Sequence, residues 1–240
     1  MCLSPDAITT YAHLRTAGHT RRGIADGVRT GALTPLRRGV YARDGACEQA
    51  RVAARHGGGL CCTSAARHLG IWVLSPADDV HVWLRGHGHA YEHSECTCVE
   101  HWDEGPVCDA FGVPSIPRIL RQMLHCLGVE HFFVALESAL RQKLIDTAGL
   151  EWLRSTSRAA KDAISFARAD ADSGLESLLR WRLRSHGLRI RSQVDIVSVG
   201  PVDLLIGERL IVEADGKENH DGPSTRHQDL IRDAHAAIWG

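Results

Sequence analysis

The sequence predicts a mixed α/β chain, α+β and multi-domain, laid out in three consecutive segments. Three observations carry that reading. Residues 4–44 read as two short helices and a hairpin, residues 119–144 carry apolar residues at helical spacing, and residues 193–215 hold three extended stretches separated by glycines. A chain of 240 residues can build several small cores, and its length alone does not choose between one domain and three. Changes in composition and pattern put the boundaries at 1–44, 45–168 and 169–240.

In the first segment, Pro5–Ala17 reads as a helix with Ser4 as its N-cap and Ile8, Tyr11, Ala12 and Leu14 at apolar positions. Thr20 is placed to cap a second helix, Arg21–Arg29, ending near Gly31. Leu33–Tyr41 then gives a strand, a basic turn and a second strand. Helix, helix, hairpin is the order of a winged helix. Between Arg15 and Arg43 there are seven arginines and one acid, Asp26. Net charge over the whole chain is only -1, so a nucleic-acid contact has to come from a local basic surface of this kind. Arg21, Arg22, Arg29, Arg37 and Arg38 are the candidate DNA contacts; a solvated basic face is the plainer alternative.

The second segment mixes helices at Gln49–His56, Thr63–Leu69, Ile119–Cys126 and His131–Leu144 with a strand at Val80–Leu84. Phe132, Phe133, Leu136 and Leu140 form one apolar stripe and are core candidates. The segment also holds a dense patch of His81, His87, His89, His93, Cys96, Cys98, His101 and Cys108. Imidazole and thiolate at this density are zinc-ligand chemistry, but the irregular spacing argues against a Zn²⁺ site between His81 and Cys108. A histidine-rich surface hairpin accounts for the patch equally well. One further helix is expected at Glu151–Arg168.

In the third segment, Ser173 and Glu176 fit a capping box, with Leu175, Leu178, Leu179 and Leu183 as the buried stripe and Gly187 as the stop. Gln193–Val199, Pro201–Ile206 and Leu210–Asp215 read as strands. Glu213 and Asp215, two residues apart, project from one face of the last strand. The loop Gly207-Glu208-Arg209 decides the register: with three residues in it, Ile206 faces Leu210 and Asp203 faces Glu213. All three acids then share a face, which a two-residue loop would not allow. Clustered carboxylates repel unless a cation sits among them, and hard divalent ions such as Mg²⁺ or Mn²⁺ take oxygen ligands. Asp203, Glu213 and Asp215 are therefore the candidate metal ligands. Lys217 and His220 follow closely enough to position water or contact a phosphate.

Glu176 on a helix, Asp203 in Val-Asp-Leu-Leu-Ile, and Ile-Val-Glu213-Ala-Asp215-Gly-x-x-x-His220 resemble the PD-(D/E)xK nuclease superfamily. The likeness is to its very-short-patch-repair-like (Vsr-like) branch, including a family widespread in actinobacteria and their phages. Arg226, Asp229, Arg232 and Asp233 keep the spacing of that family's following helix. The resemblance implies a restriction-endonuclease-like four-stranded mixed sheet flanked by helices. It implies Asp203 and Glu213 as metal ligands, Glu176 supporting from the helix, and Asp215 and His220 in the active-site loop. Leu33–Tyr41 resembles the wing of the AbiEi-type antitoxin N-terminal domain. Thr63-Ser-Ala-Ala66 and Gly112-Val-Pro-Ser115 are similar to the middle region of such proteins. Two features depart from the pattern. Asp215 stands where the superfamily has its lysine, which makes Lys217 the candidate replacement. The family's last strand would follow the Trp239-Gly240 pair, so a C-terminally shortened nuclease domain is the expectation.

Met1–Thr10 lacks a basic start and an apolar core, and no run is long and apolar enough to span a bilayer. The expectation is a soluble, cytoplasmic chain with DNA and no membrane as partner. Its eight cysteines are then expected as thiols or metal ligands. Functionally, the residues and the resemblance together point to a metal-dependent DNA endonuclease. The rival is a non-catalytic DNA-binding regulator, antitoxin-like, with a vestigial nuclease fold. A zinc-stabilised interaction protein is the third reading.

Overall fold

Thr9 and Thr10 are β-branched, and they form a strand where the apolar spacing suggested helix. Strand β1 (Ile8–Thr10) runs directly into helix α1 (Tyr11–Thr16). Thr10 is the N-cap, its Oγ1 accepting from the His13 amide at 3.0 Å. The helix expected from Pro5 thus begins at Tyr11. Helix α2 (Arg21–Thr30) has Thr20 as N-cap and ends at Gly31, which sits at φ 83, a conformation that suits glycine. Strands β2 (Thr34–Arg37) and β3 (Val40–Ala42) follow, joined through Arg38 and Gly39. The antiparallel sheet has the order β1-β3-β2. Leu14, Ile24 and Leu33 fill the space between it and the two helices, so helix, helix, hairpin is present with one strand added in front.

The computed structural model describes residues 7–74, 79–86, 88–93, 96–105, 111–197 and 199–214. The chain divides into two units, Met1–Gly70 with Ser75–Gln122 and Ile71–Leu74 with Met123–Gly240. Beyond its first sheet, the first unit holds α3 (Glu48–His56), β4 (Gly59–Leu60), α4 (Cys62–His68), β5 (His81–Leu84) and β6 (Val99–Trp102). Strand β5 is central, antiparallel to β4 and parallel to β6. All four of its residues are buried, because both edges are paired and α4 packs against it. The Gly57-Gly58 pair is required by close backbone approach: a Cβ would stand 2.2 Å from the His89 carbonyl at the first and 2.1 Å from the Trp83 carbonyl at the second. Helix α5 (Ile116–Leu127) contains the division between the units.

The second unit contains α6 (Val129–Arg141), α7 (Thr147–Thr156), α8 (Arg158–Phe166) and α9 (Gly174–Leu183), then β7 (Ile190–Ile196), β8 (Gly200–Ile206) and β9 (Leu210–Val212). The single helix expected over Glu151–Arg168 is two. Ser157 is extended (φ -165, ψ 159) and its Oγ accepts from the Ala160 amide at 3.1 Å, so it caps a new helix and breaks the old one. Helix α6 is buried all round from Phe132 to Ala139 rather than along one stripe, and Leu140 is only half-buried. Phe133 stacks on Trp181 with ring centroids 4.7 Å apart.

That contact sets the rotation of α9. Its buried residues are Glu176, Ser177, Arg180 and Trp181, while Leu175 is exposed and Leu178, Leu179 and Leu183 are only half-buried. The expected leucine stripe is displaced because Arg180 docks on Glu137 of α6, Nη1 lying 3.0 and 3.1 Å from the two carboxylate oxygens. Both side chains are buried. The three strands form an antiparallel sheet in the order β7-β8-β9. Among the described residues this sheet is three-stranded and antiparallel; the residues that follow 214 lie outside them.

Cys47 is disulfide-bonded, contrary to the expectation of thiols, whereas Cys61, Cys62, Cys96, Cys98 and Cys126 are thiols. Among the described residues no helix is long and apolar enough to cross a membrane.

Candidate functional site

The start of α9 and the β7–β8–β9 sheet bring three of the sequence-selected acids towards one another. Ser173 Oγ accepts from the Glu176 amide at 3.1 Å, as a capping box requires. The return bond is different: Glu176 Oε2 accepts from the Asp172 amide at 2.7 Å, one residue before the cap. The same Oε2 accepts from Gln193 Nε2 at 3.0 Å, and Gln193 Nε2 also lies 3.3 Å from Asp203 Oδ1. Glu176 is fully buried, and its Oε1 has no hydrogen-bond partner among the described residues. Burial pushes its carboxyl above the ordinary carboxylate range, against the pull of the two donors.

The register is the one the three-residue loop demands. Ile206 pairs with Leu210 and Leu204 with Val212, so Asp203 faces Glu213 one step further on. Asp203 donates its amide to Glu213 Oε2 at 3.2 Å, and its own Oδ2 accepts from the Ala214 amide at 2.8 Å. On the other side, Ser192 pairs with Leu204 and Val194 with Val202, which leaves Gln193 facing Asp203. Gln193 adopts φ 51, in the left-handed region where residues with a side chain are uncommon. Sequence reasoning passes over this glutamine. Its one signal is its place on the strand's polar face between Arg191 and Asp195, opposite Asp203 once the first hairpin is placed.

Glu176, Asp203 and Glu213 offer oxygen alone, the donor type that Mg²⁺ and Mn²⁺ take, and a buried carboxylate oxygen lacking a donor fits a neighbouring cation. Among the described residues, though, the tight clusters of three or more ligand atoms are built from histidine and cysteine, not from these acids. Asp215, Lys217 and His220, and the expected helix carrying Arg226, Asp229, Arg232 and Asp233, lie outside the described residues.

The basic candidates of the first segment divide into two kinds. Arg21, Arg22, Arg29 and Arg38 are exposed, Arg29 being paired with Asp26 at 3.1 Å. Arg37 is half-buried: its Nε donates to the Ala54 carbonyl at 2.9 Å, and its guanidinium lies 4.4 Å from the centre of the Tyr91 ring. Its charge is spent on joining the hairpin to α3 and the 88–93 stretch.

Among the described residues the histidine–cysteine patch does not form one cluster. His81 Nδ1 and His101 Nε2 bond to each other at 2.8 Å across β5 and β6, and burial lowers both imidazoles, His101 to about 4. His93, Cys96 and Cys98 gather elsewhere, around a residue outside the sequence-selected patch: His56, at the end of α3. The irregular spacing hides this group, because its fourth member comes from 37 residues before His93. His87 and Cys108 lie outside the described residues.

No protein-family model matches the chain, and no curated protein matches it either.

Proposed function

We propose that the chain is a metal-dependent DNA endonuclease that hydrolyses phosphodiester bonds and is targeted by its N-terminal helix, helix, hairpin unit, read as a winged helix. The observation that carries this reading is the Gln193 amide bridging Glu176 and Asp203 while Asp203 faces Glu213. Carboxylates gathered in this way repel one another, and a buried third adds a desolvation cost, which a cation among them would offset. The resemblance to Vsr-like PD-(D/E)xK nucleases supports the same residues.

In this reading Asp203 and Glu213, with Asp215, hold Mg²⁺ or Mn²⁺, which supplies charge neutralisation at the scissile phosphate and a more acidic water. Gln193 fixes the direction of the Asp203 carboxylate by donating to Oδ1, and the Ala214 amide fixes Oδ2. Glu176 keeps a buried carboxylate oxygen without a donor beside half-buried Asp203, while Glu213 is exposed. Lys217 or His220 assists by positioning water or the phosphate. Exposed Arg21, Arg22 and Arg38 neutralise backbone phosphates, a contact that positions DNA without reading its sequence.

The test is an assay on single-stranded, double-stranded and mismatched DNA with Mg²⁺ or Mn²⁺, run beside Glu213→Ala. Loss of cleavage with DNA binding retained supports the assignment; cleavage unchanged by the substitution overturns it. One observation favours a second reading, a DNA-binding regulator, antitoxin-like, with a vestigial nuclease fold. The Asp203 and Glu213 carboxylates already accept backbone amides, so they are held without a cation. That reading expects DNA binding that fails when Arg21, Arg22 and Arg38 are neutralised, and no cleavage with any metal.

A further inference from the structure

Helix α3 ends on His56, which is 3% exposed, and both of its ring nitrogens are engaged. Nε2 lies 3.1 Å from Glu100 Oε1 at one side, and Nδ1 lies 3.2 Å from Cys96 Sγ at the other. Glu100 is itself oriented, its Oε2 accepting from Trp102 Nε1 at 2.9 Å. A carboxylate offers only lone pairs to an imidazole, so Glu100 is the acceptor in this pair. The proton of His56 therefore belongs on Nε2, which leaves the Nδ1 lone pair facing the cysteines.

The ligand atoms of His56, His93, Cys96 and Cys98 all lie within 4.8 Å of one another. A tetrahedral ion with bonds of about 2.0 Å to nitrogen and 2.3 Å to sulfur needs ligand atoms roughly 3.3–3.8 Å apart. Closing the remaining distance takes side-chain adjustment of about 1 Å or less. The backbone already brings the two stretches together: the Tyr91 amide donates to the His56 carbonyl at 2.7 Å, and the Cys96 amide to the His93 carbonyl at 3.2 Å. Gly57 permits this, since a Cβ there would strike the His89 carbonyl.

We propose that His56, His93, Cys96 and Cys98 form a structural zinc site, with Glu100 as the outer carboxylate that orients His56. Two imidazoles and two thiolates suit a borderline-soft ion of tetrahedral preference and exclude Mg²⁺ and Ca²⁺, which want oxygen. Four protein ligands close the coordination sphere, which makes the site a staple and not a catalytic centre. It ties the end of α3 to the stretch leading into β6. Zinc would take both cysteines as thiolates and release their protons on binding. The site stands independently of the nuclease reading, because none of its residues belongs to the carboxylate cluster.

The test uses the full chain and two metals, Zn²⁺ and Co²⁺. Elemental analysis should find zinc retained through dialysis, with one equivalent fewer in His56→Gln and in Cys96→Ser. Co²⁺ should give the intense visible absorption of a tetrahedral ion with thiolate charge transfer. Cys98→His should keep the metal, and Glu100→Gln should weaken binding by roughly 10–100-fold. If the ligand variants fail to fold, the unaltered chain still decides the matter. Zn²⁺ should protect Cys96 and Cys98 together from alkylation, mapped by mass spectrometry. A chain that takes up neither ion, variants that keep the full zinc content, or equal alkylation of Cys96 and Cys98 with and without Zn²⁺ would each overturn the proposal.

Discussion

Asp203 and Glu213 face each other across β8 and β9, and the Asp203 amide donates to Glu213 Oε2 at 3.2 Å. The bond ties the backbone of one acid to the side chain of the other, so position and charge can be separated by mutation. Asp203→Asn keeps an oxygen able to accept from the Ala214 amide but removes the charge. The expected loss of stability is about 1 kcal/mol, because the bond from Gln193 Nε2 to Oδ1 is given up while Gln193 keeps its bond to Glu176. Mg²⁺-dependent cleavage should fall by at least about a hundredfold, as removal of a charged metal ligand implies. Equal cleavage by parent and variant in a single-turnover assay would remove Asp203 from the active site.

Gln193 supplies the second separation. Gln193→Ala deletes the amide shared by Glu176 and Asp203 but leaves the φ 51 backbone strain in place. Cleavage should drop by roughly 10–100-fold, the usual scale for losing a group that orients a ligand. Gln193→Gly loses the same bridge and relieves strain of about 1 kcal/mol. It should therefore melt higher than Gln193→Ala while cutting no better, a split that thermal melts and kinetics together can read.

Asp203 and Glu213 are legible in the sequence because a hairpin with a three-residue loop has one register that keeps acids and apolar residues apart. Gln193 is not, since its role depends on a second pairing and on an unusual backbone angle. The face of α9 escapes sequence reading for a related reason. Leucine spacing is a local signal, whereas the rotation of the helix is set by Arg180, Trp181 and their partners on α6, more than 40 residues away in sequence. The His56 group does not show for want of a spacing rule, as one of its ligands comes from another element. Caps are legible where one side chain decides them, as at Thr20 and Ser173, and hidden where an expected helix conceals one, as at Ser157.

Arg180 and Glu137 lend themselves to a stability test. Arg180→Met leaves a carboxylate buried with its cation gone and the Arg168 amide, 2.8 Å from Oε1, and the Ser177 hydroxyl as its remaining donors, and should cost about 3–5 kcal/mol. Glu137→Leu combined with Arg180→Met removes both charges and should recover most of that loss. Urea midpoints for the two single variants and the double variant check this. Additive losses would show that the pair is not coupled.

The arginines of the first segment should separate in a salt titration. Neutralising Arg21, Arg22 or Arg38 is expected to reduce the slope of log K against log salt by about 0.9 for each phosphate that is no longer neutralised. Arg37→Ala should leave the slope unchanged and instead destabilise the first unit by about 1–2 kcal/mol. Its hydrogen bond to Ala54 and its stacking on Tyr91 are internal. A slope change for Arg37→Ala equal to that of Arg38→Ala would mean that Arg37 abandons Ala54 and Tyr91 to reach DNA.

His81 and His101 should make the chain acid-sensitive in a defined window. They share one hydrogen bond at 2.8 Å, which requires a neutral donor and a neutral acceptor or a single proton more. Burial holds His101 at about 4 in the folded chain, against 6.5 for an ordinary imidazole. Between those values the unfolded chain binds more protons, so stability falls as pH drops from 6.5 towards 4 and levels off below. Partial exposure of the ring leaves a difference of about 1–2 kcal/mol across that window. Urea unfolding from pH 7 to 4, with a chelator present so that metal binding does not contribute, gives the measured slope. His101→Gln retains a hydrogen-bonding partner for His81 but cannot titrate, so its stability should fall less over that window. Identical slopes for the two proteins would place the acid sensitivity elsewhere.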